Sequence, residues 1–546
     1  MKMSYSKIIK LYGPPGTGKT TALASCTYNL VANKKYTLFP DVLCISFTRS
    51  AVWALKKRFY QLGLRLGSKQ FRTLHSLCYE ALNCLYRNKL DKNPLKDKLL
   101  DESDVANYFI EKGYGFSLSD LDEDYYSSKL GNKIYKFIEK VRHKWDFQCD
   151  FSLHFRRFYE KERENFNFDL DYDFILKEYY EFNQFLQDKF DYTKLLLEVL
   201  GYPKCLDIFH GSVLIVDEAQ DFTALEWAVI KELMKNFEYV IIAGDDDQTI
   251  YVFSGADPRF FLEIEGQEYI LNTSYRLTSE VCEKAKKLIS LNKKRKVKEF
   301  QAVKAGGGVN EIASFALYEN IRRAVEEGKT VFLLCRNHVF VKQHAKRLYS
   351  LNIPFTYLDK ESVAPSWVEP MKYLITLRQG KEIGYLDFLD IFSTIKNRLK
   401  NLIKEDIEED VLQDVYNLLL KRKFFPKNEI SKKLYEIFTT RDVDDLFYDY
   451  TDHAYYSFWK NNLFDLEKWL NPRVVIGTIH KAKGLEADKV FIDLRVTREV
   501  FLNMHQSEDN LEDERRVFYV ALTRAREEVY FFAFKHKYIF NECFYL

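Results

Sequence analysis

The sequence predicts an α/β protein built on two parallel-sheet cores, each interrupted by a mainly helical insertion. Three observations point there. Short β-branched runs recur along the chain, each followed by polar turn residues and then a helical pattern, the grammar of parallel α/β sheets. The runs fall into two groups separated by long stretches of different character. At 546 residues, 47% of them hydrophobic, the chain has ample material for several packed cores.

Taken in order, Lys7–Leu11, Val42–Ser46, Val213–Val216 and Tyr239–Ala243 are expected in one sheet. Tyr269–Leu271, Thr330–Cys335, Val474–Gly477 and Lys489–Asp493 are grouped in a second. Between the runs, Asn83 to Gly201 has no proline from Leu95 to Tyr202, and Met371 to Asn471 is dense in Lys, Glu and Leu; both are expected to be helical. The expected division is therefore 1–82 with 201–271 as the first core, 83–200 as its insertion, 272–370 with 472–546 as the second core, and 371–471 as its insertion. No repeat at a solenoid period stands out. The Lys/Gly-rich stretch Asn292–Gly308 is expected to be a helix end and loop with its basic residues on a solvated face, phosphate tracking being the alternative.

Composition bounds the partners. With 82 Lys+Arg against 80 Asp+Glu, a polyanion has to be held by local basic surface and not by a global field. The nine cysteines form no C-x-x-C pair and no Cys/His cluster at zinc spacing, and the N-terminus lacks a signal-like apolar core, so reduced thiols and a cytoplasmic location are expected. No run approaches the roughly 18 apolar residues of a membrane span. The 37 Tyr and 44 Phe are either stacking surface or ordinary core, which composition does not separate.

The first run leads into Gly13-Pro14-Pro15-Gly16-Thr17-Gly18-Lys19-Thr20, a Gly-rich loop between strand and helix of the kind that wraps nucleotide phosphates. Its glycines let backbone N–H groups face phosphate oxygens, Lys19 reaches the β and γ phosphates, and the Thr20 hydroxyl can ligate Mg²⁺. The third run ends in Asp217-Glu218-Ala219-Gln220-Asp221, placing two adjacent acids at the carboxyl edge of the sheet. Asp217 can hold Mg²⁺ and Glu218 can polarise the attacking water; the alternative is a helix start decorated with acids. The next run ends in Gly244-Asp245-Asp246-Asp247-Gln248-Thr249-Ile250-Tyr251-Val252-Phe253. Gln248 can sense a γ-phosphate while Tyr251 and Phe253 face bases, which would link hydrolysis to base contact, although a Tyr-x-Phe pair is commonly core.

The ordered blocks GPPGTGKT, ISFTRSA, FRTLHS, VLIVDEAQD, AGDDDQTIYVFSGAD, LNTSYR, GTIHKAKGLEADKVF and DERRVFYVALTRA resemble the full motif series of superfamily 1 helicases of the UvrD/Rep/PcrA type. The resemblance covers both α/β cores and implies RecA-like motor domains with ATP and Mg²⁺ as cofactors. It implies that Gly13, Pro14, Gly16, Thr17, Gly18, Lys19, Thr20 and Thr21 hold the nucleotide, that Thr20 and Asp217 hold the metal, and that Glu218 activates water. Gln248 would sense the γ-phosphate, Tyr275 stack on adenine, Glu486 meet the sugar, and Arg276 and Arg524 act as arginine fingers. Phe47, Thr73, His75, Tyr251, Phe253, Arg336, Asn337, Thr478 and His480 fall where the family touches single-stranded DNA. For His75 and His480 an interdomain hydrogen bond is the alternative. Lys481 and Lys483 are either phosphate contacts or merely exposed, and Arg49 is the weakest candidate.

The physical logic stands beside the family pattern: two cations supplied by a separate core neutralise transition-state charge only when the cleft closes. The form Gln-Thr-Ile-Tyr-x-Phe resembles the 3′-to-5′ branch. The implied activity is an ATP-driven motor moving 3′ to 5′ on single-stranded DNA and opening duplex at single-strand/double-strand junctions, as a monomer without membrane attachment. A DNA-stimulated ATPase that serves as a sensor or recruiting switch is the alternative. Three departures matter. No glutamine precedes Gly13, leaving strict ATP selectivity open; Phe253-Ser254 replaces Trp-Arg, keeping a ring and losing a cation; and the second insertion is shorter than in the longer relatives.

Overall fold

The computed structural model describes residues 7–32, 42–87, 95–96, 98–118, 129–145, 150–166, 169–358, 367–379, 381–403, 407–420, 429–447, 459–460, 468–469 and 471–545. The chain divides into two compact units: Met1–Ala345 with Gly477–Leu546, and Lys346–Ile476.

In the first unit, strands β1 (Lys7–Tyr12), β2 (Val42–Ser46), β3 (Phe71–Thr73), β4 (Gly211–Asp217), β5 (Phe237–Gly244) and β6 (Gln267–Ile270) form one sheet in the order β3-β2-β4-β5-β1-β6. Every neighbouring pair is parallel. Alternate residues bury on opposite faces, as the two-residue period of a strand requires. Leu11, Val42, Cys44, Val213, Ile215, Ile241 and Ala243 pack on one side with Leu23 of helix α1 (Lys19–Ala32) and Leu55 and Phe59 of α2 (Arg49–Gln61). Tyr12, Leu43, Ile45, Leu214, Val216, Val240 and Ile242 face the other core. There they meet α3 (Leu74–Arg87), α8 (Tyr192–Gly201) and α9 (Ala224–Met234).

Helices α4 (Glu102–Glu111), α5 (Leu130–His143), α6 (Phe151–Phe166) and α7 (Tyr172–Phe185) build a separate aromatic core around Phe109, Phe137, Phe155 and Phe182. Much of the chain's aromatic content here is thus core. The ring pairs Phe109–Phe182 and Phe137–Phe155 lie 5.7 and 5.6 Å apart, within the range where ring quadrupoles attract.

Strands β7 (Thr273–Thr278) and β8 (Gln301–Lys304) make a two-stranded sheet. Strands β9 (Gly308–Glu311), β10 (Val331–Cys335), β13 (Ala487–Asp493) and β14 (Ala525–Phe532) are again parallel, with β13 between β10 and β14 and β9 outside β14. Tyr269–Leu271, grouped by its run with the second sheet but placed by the expected division 201–271 in the first core, lies in the first: β6 pairs with β1 through Leu11↔Tyr269 and Tyr12↔Ile270. The physical reason is that one parallel partner for β1 comes from β5 and the other edge stays open until β6 returns. Strands β3, β7, β8, β9 and β14, and the strand Phe355–Tyr357, were not expected from sequence, and β8 lies in the stretch expected to be a helix end and loop.

In the second unit, β11 (Phe355–Tyr357) pairs in parallel with β12 (Val474–Thr478) from Phe355↔Val474 to Tyr357↔Ile476. Helices Val368–Arg378, Tyr385–Ile403, Glu409–Leu419, Glu429–Thr440 and the short Val443–Phe447 belong to its described helical part. Trp469 stacks on Tyr349 at 5.6 Å and abuts Trp459 at 5.0 Å. No described helix in either unit is long and apolar enough to cross a membrane.

Candidate nucleotide cleft and nucleic-acid face

The Gly13–Thr20 loop leaves β1 and enters α1 at Lys19. Gly16 and Gly18 take φ of 73° and 79°, left-handed values that glycine adopts at little cost. Gly16 is also needed for space, since a Cβ there would collide with Arg276 and stand 2.8 Å from Ser274 Oγ. Pro14 closes the loop by accepting from Thr17 Oγ1 at 2.8 Å, and Lys19 Nζ donates to the Gly13 carbonyl at 2.9 Å. Thr20 is half-buried at the start of α1, whereas Thr21 Oγ1 already accepts from Arg58 Nε at 2.9 Å.

The β4 strand delivers Asp217 and Glu218 beside this loop. Burial and the adjacent Glu218 push the Asp217 carboxyl up to about 7, and Lys19 acts against them. For Glu218 burial pushes up too, but Lys19, Lys483 and the bond from Gln220 outweigh it, so its carboxyl falls below the ordinary value. The two neighbouring carboxyls are thus shifted in opposite directions, a pattern typical of reactive sites. Glu218 itself sits at φ 53°, ψ 43°, one of two non-glycine residues with positive φ among those described. Such a residue stores roughly 1–3 kcal/mol of backbone strain, maintained here because Gln220 Nε2 donates to Glu218 Oε2 at 2.7 Å. Gln220 also accepts from the Asp245 backbone N–H at 2.9 Å, tying the two acidic tips together. The hydroxyl of Thr20 and the carboxylate of Asp217 are hard oxygen donors of the type Mg²⁺ prefers.

Across the cleft, β7 lies directly on the phosphate loop: Tyr275 N–H donates to the Gly16 carbonyl at 2.9 Å and Ser274 Oγ to the Pro15 carbonyl at 2.7 Å. The Tyr275 ring is 64% exposed, an open face beside the loop. Arg276 pairs with Glu486 and donates to the Thr523 carbonyl at 3.3 Å. Glu486 also takes Arg526 at 2.7 Å, so its carboxylate serves two guanidinium groups in this arrangement. Arg524 is buried, and its hydrogen-bond partners are neutral oxygens: the carbonyls of Val520 and Leu485, Thr523 Oγ1 and Gln248 Oε1, the last at 3.2 Å. Burial and the nearby Arg276 push its guanidinium down to about 9. A buried cation with neutral partners is costly, and an arriving anion would relieve it.

Lys483, expected as a phosphate contact or an exposed residue, is instead half-buried with its ammonium engaged by the protein. It pairs with Asp221 at 2.6 Å and donates to the Gln248 carbonyl at 2.7 Å. The Asn292–Phe300 stretch is corrected similarly. Lys293 and Lys294 are exposed, but Arg295 and Lys298 turn inward onto Asp247 and the acids beside it. No local signal marks these cations, because their partners lie about 50 residues or more away in sequence.

Beyond the cleft, a line of rings runs across both cores. Phe47 meets Phe222 edge-on at 5.8 Å and Tyr251 at 5.4 Å, Tyr251 lies 6.2 Å from Phe253, and Phe253 meets His480 edge-on at 5.5 Å. Burial and Arg336 push the His480 imidazole down to about 3, so it is neutral at physiological pH. Thr478 is buried at the end of β12. His75 packs edge-on to Tyr192 at 5.4 Å, burial lowers its pKa, and its Nε2 has no hydrogen-bond partner among the described residues. Thr73 accepts from the Ser76 N–H at 3.3 Å. Arg336 is drawn away from solvent into a two-bond pair with Glu514 at 2.8 and 2.7 Å, and Asn337 accepts from the Thr497 N–H at 3.2 Å. Arg49 is exposed at the start of α2.

The chain matches two family models: the UvrD/REP helicase N-terminal domain over residues 2–268 and the UvrD-like helicase C-terminal domain over residues 372–536. It is 26% identical to a probable DNA helicase II homolog of Mycoplasma capricolum, with 97% of this chain and 82% of that protein aligned. It is 22% identical to the ATP-dependent DNA helicase PcrA of Staphylococcus epidermidis, over 94% of this chain and 80% of the relative. A probable DNA helicase II homolog of Mycoplasma genitalium aligns at 22% identity over 94% and 81%. With the motif blocks lying on the phosphate loop, the β4 tip and the facing β7, the chain belongs to the UvrD/REP helicase family and is a helicase with two parallel-sheet motor cores.

Proposed function

We propose that this helicase hydrolyses ATP between its two sheet cores and uses the cycle to move 3′ to 5′ along single-stranded DNA, separating duplex at junctions. The observation that carries the reading is the bond between Arg524 of the second core and Gln248 of the first. It joins a cation with no carboxylate among its hydrogen-bond partners to the loop that also bears Tyr251 and Phe253. ATP-dependent DNA helicase names among the relatives support the same reading.

In this scheme the glycine loop and Lys19 grip the phosphates, and Tyr275 stacks on the base. Thr20 and Asp217 would hold Mg²⁺, which when bound offsets phosphate charge. Glu218, kept ionised and held by Gln220, orients and deprotonates water. Arg524 and Arg276 stabilise charge on the transferring group, Arg276 exchanging Glu486 for phosphate. The Gln248 loop then passes the state of the cleft to Tyr251 and Phe253, against which bases stack, while Phe47, Thr73, His75, Thr478 and His480 line the track. Arg336 and Asn337 are assigned to holding the second core together and not to DNA. The proposed division is two motor cores, 1–82 with 201–271 and 272–370 with 472–546, carrying insertions 83–200 and 371–471, acting as a monomer.

The test is turnover of ATP with and without single-stranded DNA, followed by strand separation on 3′-tailed and 5′-tailed duplexes. Stimulation by DNA with opening of the 3′-tailed substrate alone is expected. Stimulation without strand separation would replace the motor by a DNA-gated switch, and turnover indifferent to DNA would overturn both.

A further inference from the structure

The tip that follows β5 carries three consecutive acids, Asp245, Asp246 and Asp247, all buried. Left alone they would repel one another strongly. The chain answers from the Asn292–Phe300 segment: Lys298 Nζ stands 3.0 Å from Asp245 and 2.9 Å from Asp247 and also bonds Asp246. Arg295 Nε donates to Asp247 at 2.7 Å, and the Lys296 N–H to Asp246 at 2.8 Å. Lys298 is completely enclosed, so its charge is committed to this cluster.

Asp245 is the member that holds the Gln248 side chain. While Oδ1 meets Lys298, Oδ2 accepts from Gln248 Nε2 at 2.7 Å, and Gln248 Oε1 accepts from Arg524 at 3.2 Å. A primary amide has one donating and one accepting side. A carboxylate on one flank and a guanidinium on the other therefore permit one orientation only.

We propose that Lys298 is a positioning residue for hydrolysis: by anchoring Asp245 it orients the Gln248 amide toward Arg524. This inference rests on the roles proposed above for Gln248 and Arg524. Without the ammonium the three carboxylates separate, Asp245 leaves Gln248, and the amide turns freely, so Arg524 loses its Gln248 contact and keeps only those to Val520, Leu485 and Thr523, although the phosphate loop is untouched.

The experiment measures steady-state ATP turnover of Lys298→Met, Gln248→Ala and the double variant, with and without single-stranded DNA, beside thermal melts. The charge-matched variant carrying Asp246→Asn and Lys298→Met removes one buried acid with one buried base and carries the test if Lys298→Met does not fold. Expected is a fall of about tenfold or more in kcat with the KM for ATP within about twofold, and less than about twofold further loss when Lys298→Met is added to Gln248→Ala. Additive losses in the double variant, an equal rise in KM, or an unchanged kcat would overturn the proposal. Wild-type turnover that ignores DNA would overturn the motor reading instead, while basal kcat would still report on Lys298.

Discussion

Replacing Lys483 by methionine separates the two readings of that residue. In the structure the Lys483 side chain is 9% exposed, and its ammonium pairs with Asp221, whose side chain is 2% exposed, and donates to the Gln248 carbonyl. Removing one partner of a buried pair costs about 3–5 kcal/mol when the other stays charged. Burial, partly offset by Lys483, raises the Asp221 carboxyl to about 7 from its ordinary 3.8, so the wild-type pair is fully ionic only above that value. Without Lys483 the carboxyl rises further. The Asp221 part of the Lys483 contribution is thus present above about pH 8 and fades below about pH 6, where Asp221 is protonated with or without it and what is lost is hydrogen bonds of about 1–2 kcal/mol and the attraction to Glu218. At roughly 2 cal/mol/K of unfolding entropy per residue, 546 residues give about 1 kcal/mol per degree. Differential scanning calorimetry should show Lys483→Met melting about 3–5 °C below wild type at about pH 8.5 and about 1–2 °C below at about pH 5.5. An unchanged melting temperature at the higher pH, together with weaker DNA binding and a salt slope reduced by about one, would refute the buried-pair argument in favour of a phosphate contact.

Glu218→Gln should keep nucleotide binding, measured by equilibrium titration, while kcat falls about 10²- to 10⁴-fold, because the amide preserves the Gln220 contact but removes the base. Arg524→Ala should lower kcat about 10³-fold or more with the KM for ATP little changed, a loss confined to the transition state that single-turnover kinetics would isolate. Phe253→Ala should weaken single-stranded DNA affinity, measured by fluorescence anisotropy, about 5- to 150-fold, the equivalent of about 1–3 kcal/mol of stacking, with basal turnover nearly unchanged. Equal loss of basal turnover would place that ring in the core.

Whatever depends on a few consecutive residues was legible in the amino-acid order. The phosphate loop is recognisable because Gly16 and Gly18 need left-handed backbone, a requirement written locally. The strands β1, β2, β4, β5, β10 and β13 announce themselves because a buried parallel strand is a short apolar run regardless of its neighbours. The short β3 and β9 and the charged start of β14, Ala525-Arg526-Glu527-Glu528, lack that signature and become strands only through the partners that hydrogen-bond them. Likewise Tyr269 joins the first sheet because β1 has an open edge, which no window around Tyr269 reveals. The charged residues divide most sharply. Lys298 and Lys483 read in sequence as solvated residues or phosphate contacts, and only the tertiary fold brings Asp245–Asp247 and Asp221 against them, where burial makes each charge depend on its partner. The chain's order alone thus determined which chemistry the two cores can carry, and three-dimensional packing decided which cations stand beside the phosphate loop and which are spent pairing with buried acids around it, since Coulomb energy depends on distance and burial and not on separation along the chain.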